Sequence, residues 1–391
     1  MTATLMSTYN RQAVAFERGA GAWLWDAAGK KYLDAMTGVA VCGLGHAHPA
    51  ITRALCDQAQ RLWHTSNHFR ITHQETLGEK LASISGMDNV FMCNSGAEAN
   101  EAALKLARLY GHNKGVKDPM IIVTEGSFHG RTLATLSATG NRKIQAGFEP
   151  LVHGFVRVPY NDLEAVQNVA KNTQNAVAIL VEPVQGEGGI NIPDTGYLPG
   201  LRRICDENGW LLMLDEIQTC MGRTGKMFAF QHHSFTPDVM TLAKGLGNGF
   251  PIGACLAHGI AAGVFQAGKH GTTFGGNPLA CYVASAVIDT LQQEKLVARA
   301  GVLGLRIMHG LREHLGQVAG VKEIRGYGLM LAVELDRPCT ELVAQGLQQG
   351  IVINVTAERV VRLLPPLILS DAEADQIVAG VTKLVRDFLQ A

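Results

Sequence analysis

Between residue 50 and about residue 279, short runs of Val, Ile, Leu and Met alternate with stretches whose apolar positions recur at helical spacing. The runs fall at 90–93, 120–124, 155–158, 177–181, 211–214, 239–242 and 252–256, and several are apolar at every position rather than at every second one. Strands interleaved with helices imply a sheet covered on both faces, so the pattern predicts an α/β fold with a mostly parallel, seven-stranded sheet between helices. Ahead of them, 22–26 and 31–34 alternate around the turn Ala28-Gly29-Lys30 and read as a small hairpin. Past Cys281 the pattern changes to one long helical stretch over 282–315, short strands near 329–334, 351–354 and 360–364, and a last helix after Ser370. Ser370 and Glu373 have capping-box spacing there, and Ile377, Val381, Leu384 and Phe388 share one helix face. The organisation this predicts is a large domain over 46–280, a smaller α+β domain over 281–391, and an N-terminal segment, 1–45, that packs with the smaller one.

Composition narrows the function classes. A chain of 391 residues, 47% of them apolar, is long enough for two packed domains with a sizeable core. Lys and Arg total 34 and so do Asp and Glu, with no block of one sign, which argues against nucleic acid or an anionic membrane as the main partner. The first residues are polar and mixed, and no apolar stretch nears the ~20 residues that span a bilayer, so a cytoplasmic protein is expected. The eight cysteines are scattered without a Cys-x-x-Cys pair, as suits buried thiols in a reducing compartment. His46 and His48, like His232 and His233, lack acidic or thiol partners at ligand spacing, so no metal site is expected.

The chemistry-bearing residues cluster where the predicted strands end. Asn94-Ser95-Gly96-Ala97 joins a strand to a helix, and small residues at a helix N-terminus leave backbone amides open to a phosphate. Taken alone, the segment suits an ordinary cap equally well. Phe128 and Arg131 follow the strand at 120–124 at the sheet edge where open α/β folds bind ligands: a flat ring can stack on a heterocycle, and an arginine can clamp a carboxylate. In isolation these are better read as a core ring and a surface ion pair. Asp215 ends the most apolar strand, and Lys244 follows another strand beside Gly245, Gly247 and Gly249. An acid that keeps a pyridine nitrogen protonated, with a partly desolvated lysine amine, is what a pyridoxal phosphate enzyme requires. No glycine fingerprint of a dinucleotide or P-loop site occurs.

The segments 94–100, 128–132, 182–189, 215–218, 244–249 and 270–278 occur in one order, within a match running from 9–11 through 43–49 to 362–366. Together they resemble the class III (ω-amino acid) aminotransferases of fold type I. The resemblance implies pyridoxal 5'-phosphate held as a Schiff base on Lys244, with Ser95, Gly96 and Ala97 at its phosphate, Phe128 on its ring, Asp215 at its nitrogen, Gln218 at its hydroxyl, and Glu216 and Ile217 also touching it. Thr273 would reach the phosphate of a neighbouring subunit's cofactor, making a homodimer with shared sites. Arg131, with Thr272 nearby, would bind the donor's α-carboxylate. Glu187 and Arg362 would pair while the ω-amino donor is bound and part to admit glutamate or 2-oxoglutarate, although a static ion pair fits the sequence equally. The implied reaction moves the δ-amino group of N-acetylornithine to 2-oxoglutarate, in arginine biosynthesis; ornithine, succinylornithine, N-succinyldiaminopimelate, acetyllysine and 4-aminobutyrate are the alternative donors. Two positions depart from the family's pattern, His68-Phe69 and Cys42, and both bear on side-chain selectivity.

Overall fold

The structure, a computed structural model, describes residues 4–390. Strands β1 (Phe16–Ala20), β2 (Trp23–Asp26) and β3 (Lys31–Asp34) form an antiparallel ribbon near the N-terminus. Then come β4 (Asn89–Cys93), β5 (Met120–Thr124), β6 (Phe155–Val158), β7 (Ala176–Val181), β8 (Leu211–Asp215), β9 (Val239–Leu242) and β10 (Gly253–Ala257). These seven make one sheet in the order β4-β10-β9-β8-β7-β5-β6, parallel except for β10, which runs antiparallel to both neighbours.

Side-chain alternation divides the central strands between two cores. Ile122, Ile179, Leu212, Leu214 and Met240 enter one with the helix Tyr197–Asn208, while Ile121, Val123, Leu180, Leu211 and Met213 enter the other with the helix Gly96–Asn113. Both faces are therefore covered, which is why these runs are continuously apolar.

Strands β11 (Val321–Tyr327), β12 (Met330–Leu335), β14 (Asn354–Thr356) and β15 (Val360–Leu363) form a third, antiparallel sheet, and β13 (Ile351–Val352) instead adds parallel to β3 of the first. The stretch 351–354, expected as one strand, thus changes sheets at Ile353. The stretch 282–315 is two helices, Pro278–Gln293 and Leu296–Leu315, broken where Lys295 takes a left-handed φ of +53°. Asn277 caps the first through Ala280 N, with Pro278 at its first position. The last helix, Asp371–Gln390, carries the expected capping box: Ser370 Oγ accepts from Glu373 N at 3.2 Å, and Glu373 Oε2 accepts from Ser370 N at 2.9 Å. β1 and β11 escaped the pattern because most of their side chains are not buried. Six of the cysteines are buried, whereas Cys42 is half-buried and Cys56 exposed. Among the described residues no helix is long and apolar enough to cross a membrane.

Candidate active site

The segments that follow β4, β5, β7, β8 and β9 meet at the carboxyl edge of the central sheet, around a cavity of about 410 Å³. Because β10 runs the other way, its entering residues Pro251 and Ile252 reach the same edge and close one side. Ser95, Gly96, Ala97, Phe128, Arg131, Asp215, Ile217, Gln218, Lys244 and Glu187 all line this space.

At one end the helix Gly96–Asn113 points its N-terminus at the cavity. Ser95 Oγ accepts from Glu98 N at 3.2 Å, so the cap is made, and Gly96 and Ala97, whose amides precede the helical ladder, line the cavity. Gly96 is also required by packing, since a Cβ there would lie 2.8 Å from Ile217 Cδ1. Nearby, Asp215 is only 4% exposed and is held by three donors, with room on Oδ1 for one more. Its Oδ2 accepts from Asn100 Nδ2 at 2.7 Å and from His129 Nδ1 at 2.8 Å, and its Oδ1 accepts from Ile217 N at 3.1 Å. Asn100 is held in turn by Thr241, whose Oγ1 donates to Asn100 Oδ1 at 2.8 Å. With Nδ1 donating to the carboxylate, His129 leaves its buried Nε2 without a partner.

Glu182, also in the lining, accepts from Phe128 N at 2.9 Å and from Gly186 N at 3.0 Å, and so ties together the loops that carry Phe128 and Glu187. Burial pushes its carboxyl above the ordinary range, His129 opposing and Asp215 adding. Lys244 stands between these groups with φ +44°, a conformation uncommon for a long side chain, and its Nζ has no hydrogen-bond partner among the described residues. Burial lowers its amine below the usual lysine value; Glu187, Asp215 and Glu182 oppose that, and Arg362 adds to it.

At the other end the buried Arg362 of β15 donates from Nη1 to Glu187 Oε1 at 2.6 Å, with Gln218 Oε1 3.4 Å from the same nitrogen. Burial would raise the Glu187 carboxyl, but the guanidinium overrides it and the net shift is downward. Arg131 is exposed, its guanidinium carbon 5.7 Å from the Phe128 ring centroid. A second cavity of about 850 Å³ shares Phe128, Arg131, Glu187 and Lys244 with the first and extends to Arg142, Lys143 and Glu358. Lys143 pairs with Glu358 at 2.6 Å, whereas Arg131 and Arg142 have no ion-pair partner among the described residues, so this space is lined by uncompensated positive charge.

Three of the expected positions do not line this cavity. Glu216 points away from the cavity, fully buried: Oε1 accepts from Phe230 N and Oε2 from Ala229 N, each at 2.7 Å, and Thr219 Oγ1 also donates to it. Burial raises its carboxyl to about 7. Side-chain alternation at the strand end explains this, because Asp215 faces in and its neighbour must face out. Thr272 is outside the cavity lining, its Oγ1 accepting from Gly275 N at 3.1 Å and standing 3.4 Å from Asn94 Nδ2. Thr273 is exposed and outside it too. Conversely, Asn100, His129 and Glu182 take part without having been assigned a role. Asn100 had a signal: a polar residue one turn beyond Gly96, among the buried alanines of that helix.

The sequence signature of the family described as aminotransferase class-III matches residues 6–385. An acetylornithine aminotransferase of Nitrosomonas europaea is 58% identical over 387 residues, covering 99% of this chain and 98% of that protein. Among solved structures, the ornithine aminotransferase of Toxoplasma gondii ME49 superposes with a TM-score of 0.95 at 36% identity, covering 99% of this chain and 93% of that one. The acetylornithine aminotransferase of Elizabethkingia anophelis superposes with a TM-score of 0.87 at 34% identity, covering 98% and 96%.

Proposed function

Because this chain belongs to the class-III aminotransferases, we propose that it moves the δ-amino group of N-acetylornithine to 2-oxoglutarate, yielding N-acetylglutamate 5-semialdehyde and glutamate for arginine biosynthesis. Pyridoxal 5'-phosphate is the cofactor that family generally implies. The residues present fit it: an open helix N-terminus for the phosphate, the Phe128 ring for a flat heterocycle, Asp215 for a ring nitrogen, Gln218 for the ring hydroxyl, and Lys244 for the carbonyl carbon. When bound, the cofactor supplies the electron sink for bond changes at the amine-bearing carbon.

The chain's own residues do the rest. Lys244 Nζ would move a proton from and back to the donor's amine-bearing carbon, aided by the burial that keeps it neutral more readily than an ordinary lysine. Arg131 binds the α-carboxylate of the donor. The uncompensated charge of Arg131 and Arg142 in the outer cavity disfavours the free α-ammonium of ornithine and tolerates a neutral acylamide, which favours the acylated donor. Arg362 pairs with Glu187 while that donor is bound, and takes a carboxylate of 2-oxoglutarate once Glu187 turns away; Glu187 is 37% exposed and has room to do so. Homodimer formation is supported by Thr273 lying outside its own cavity, next to exposed Phe274, which contacts His64 near exposed Trp63 and Phe69. We also assign the enzyme to the cytoplasm, as suits its biosynthetic relatives and its free cysteines.

The observation that carries the reading is the placement of Lys244 between the Asp215 network and the two arginines. Relative kcat/KM over a donor panel tests it. N-acetylornithine is expected to exceed ornithine by at least an order of magnitude, and the reverse preference would favour the ornithine reading, which the 0.95 superposition on an ornithine aminotransferase keeps in view.

A further inference from the structure

Among the described residues Arg362 has three side-chain acceptors, and only one of them is charged. Asn354, its direct cross-strand neighbour on β14, accepts through Oδ1 from both Nε at 3.0 Å and Nη2 at 2.6 Å. Arginine has donors only, so the amide must present its oxygen here. Gln218 Oε1 is the second neutral acceptor, on the Nη1 side. Among the described residues Glu187 Oε1 is the sole carboxylate on the guanidinium, and it belongs to the more exposed partner. Two residues along the same strand, Thr356 Oγ1 donates to Glu187 O at 2.5 Å. β14 thus holds the Arg362 fork by its side and the Glu187 main chain by its carbonyl, leaving the Glu187 carboxylate as the one part free to move.

We propose that Asn354 is a positioning residue for the acceptor half of turnover: it fixes the Arg362 fork through a neutral oxygen, so that the guanidinium stays aimed but electrostatically unspent when Glu187 leaves, ready for one carboxylate of an α,ω-dicarboxylate. The inference rests on the reading of Glu187 and Arg362 given above. Its physical content lies in the choice of amide over acid. An aspartate in place of Asn354 would hold the fork equally well by geometry but would neutralise it permanently, and an incoming carboxylate would then face a pair already made. An alanine would free the fork to reorient, with a smaller penalty spread over its rotamers.

The test uses the holoenzyme with Asn354→Asp and Asn354→Ala, and measures the two half-reactions separately. One is the acceptance of the amino group from N-acetylornithine, the other its discharge to 2-oxoglutarate; in parallel, the Kd of unreactive glutarate is read by calorimetry. Asn354→Asp is expected to raise the KM for 2-oxoglutarate and the glutarate Kd about tenfold or more, corresponding to about 1.4 kcal/mol. The KM for N-acetylornithine should change by less than about threefold. Asn354→Ala should fall between wild type and Asn354→Asp on the acceptor side. KM and Kd do not depend on how much of a preparation is folded, so partial misfolding does not mimic the split. Equal changes on both sides, or an unchanged glutarate Kd in Asn354→Asp, would overturn the proposal. Arg362→Ala separates the two levels: if it leaves 2-oxoglutarate binding intact, the reading of Arg362 itself fails, whereas if it weakens binding and Asn354→Asp does not, only the role of Asn354 fails.

Discussion

The two ends of the cavity are built on opposite principles. At the Asp215 end the carboxylate takes three hydrogen bonds, from Asn100 on the helix Gly96–Asn113 and from His129 and Ile217 in the segments that follow β5 and β8. At the Glu187 end the contact is a single ion pair made across two sheets, from the loop after β7 to β15, by one buried and one part-exposed partner. A carboxylate that must keep one charge in one place throughout turnover is best held by fixed donors in a dry site, where they cost no reorganisation. A carboxylate that must be exchanged for a substrate's is best held by one contact, reachable by water. The difference in hydrogen bonding therefore matches the difference between a cofactor that stays and two substrates that alternate.

Breaking the fixed end should have the largest effect. Lys244→Ala removes the amine at the centre of the site and should lower turnover by ~10² to 10⁴, with loss of the visible absorbance of the bound cofactor, both measured on purified protein. Asp215→Asn keeps the shape and removes the charge; a fall of ~10² to 10³ in both half-reactions alike is expected by stopped flow. Sharing the loss between the half-reactions is the mark of the fixed end. Glu187→Gln should do the opposite. With Arg362 no longer neutralised, kcat/KM for glutamate relative to N-acetylornithine should rise about tenfold, and an even loss for both substrates would erase the distinction between the ends.

The smallest expected effect concerns what supports the fixed end from outside. Four residues after Lys244, Asn248 Oδ1 accepts from Leu44 N at 2.8 Å, and the same turn carries His46, whose Nε2 lies 2.8 Å from Asp34 Oδ2. Asp34, with Cys42 adding, lifts the imidazole to about 9. The folded chain therefore keeps a proton that the unfolded chain releases near pH 6.5, so this stabilisation is full below pH 6.5 and is lost as pH rises through about 9. With screening allowed for, it amounts to about 1–2 kcal/mol. Denaturant unfolding of His46→Asn should show a flatter pH dependence between those limits, with the half-reactions nearly unchanged.

How much of this was legible depended on whether a residue's place was decided locally. The central strands announced themselves as continuous apolar runs, and Lys244, Asp215 and Phe128 stand directly after such runs, so the edge they share followed from the strands alone. Glu216 misled because one residue past a strand end the side chain turns to the other face, where buried amides of Ala229 and Phe230 take it up. The break at Lys295 was hidden because the apolar helical periodicity continues on both sides of it. Asn354 was out of reach for a different reason: its partner Arg362 is a cross-strand neighbour only because the chain leaves one sheet for another at Ile353, a tertiary decision with no local signature. The fixed end is thus the more readable one, being made by neighbours in one sheet, and the exchangeable end is less so because it joins two.

The most direct test of the contrast is a crystal structure of the holoenzyme with glutarate bound. A ligand carboxylate is expected on the Arg362 guanidinium, with Glu187 displaced from it, Asn354 still in place, and the contacts of Asp215 to Asn100 and His129 unchanged. A complex in which Glu187 remains on Arg362 while the dicarboxylate binds elsewhere would contradict it.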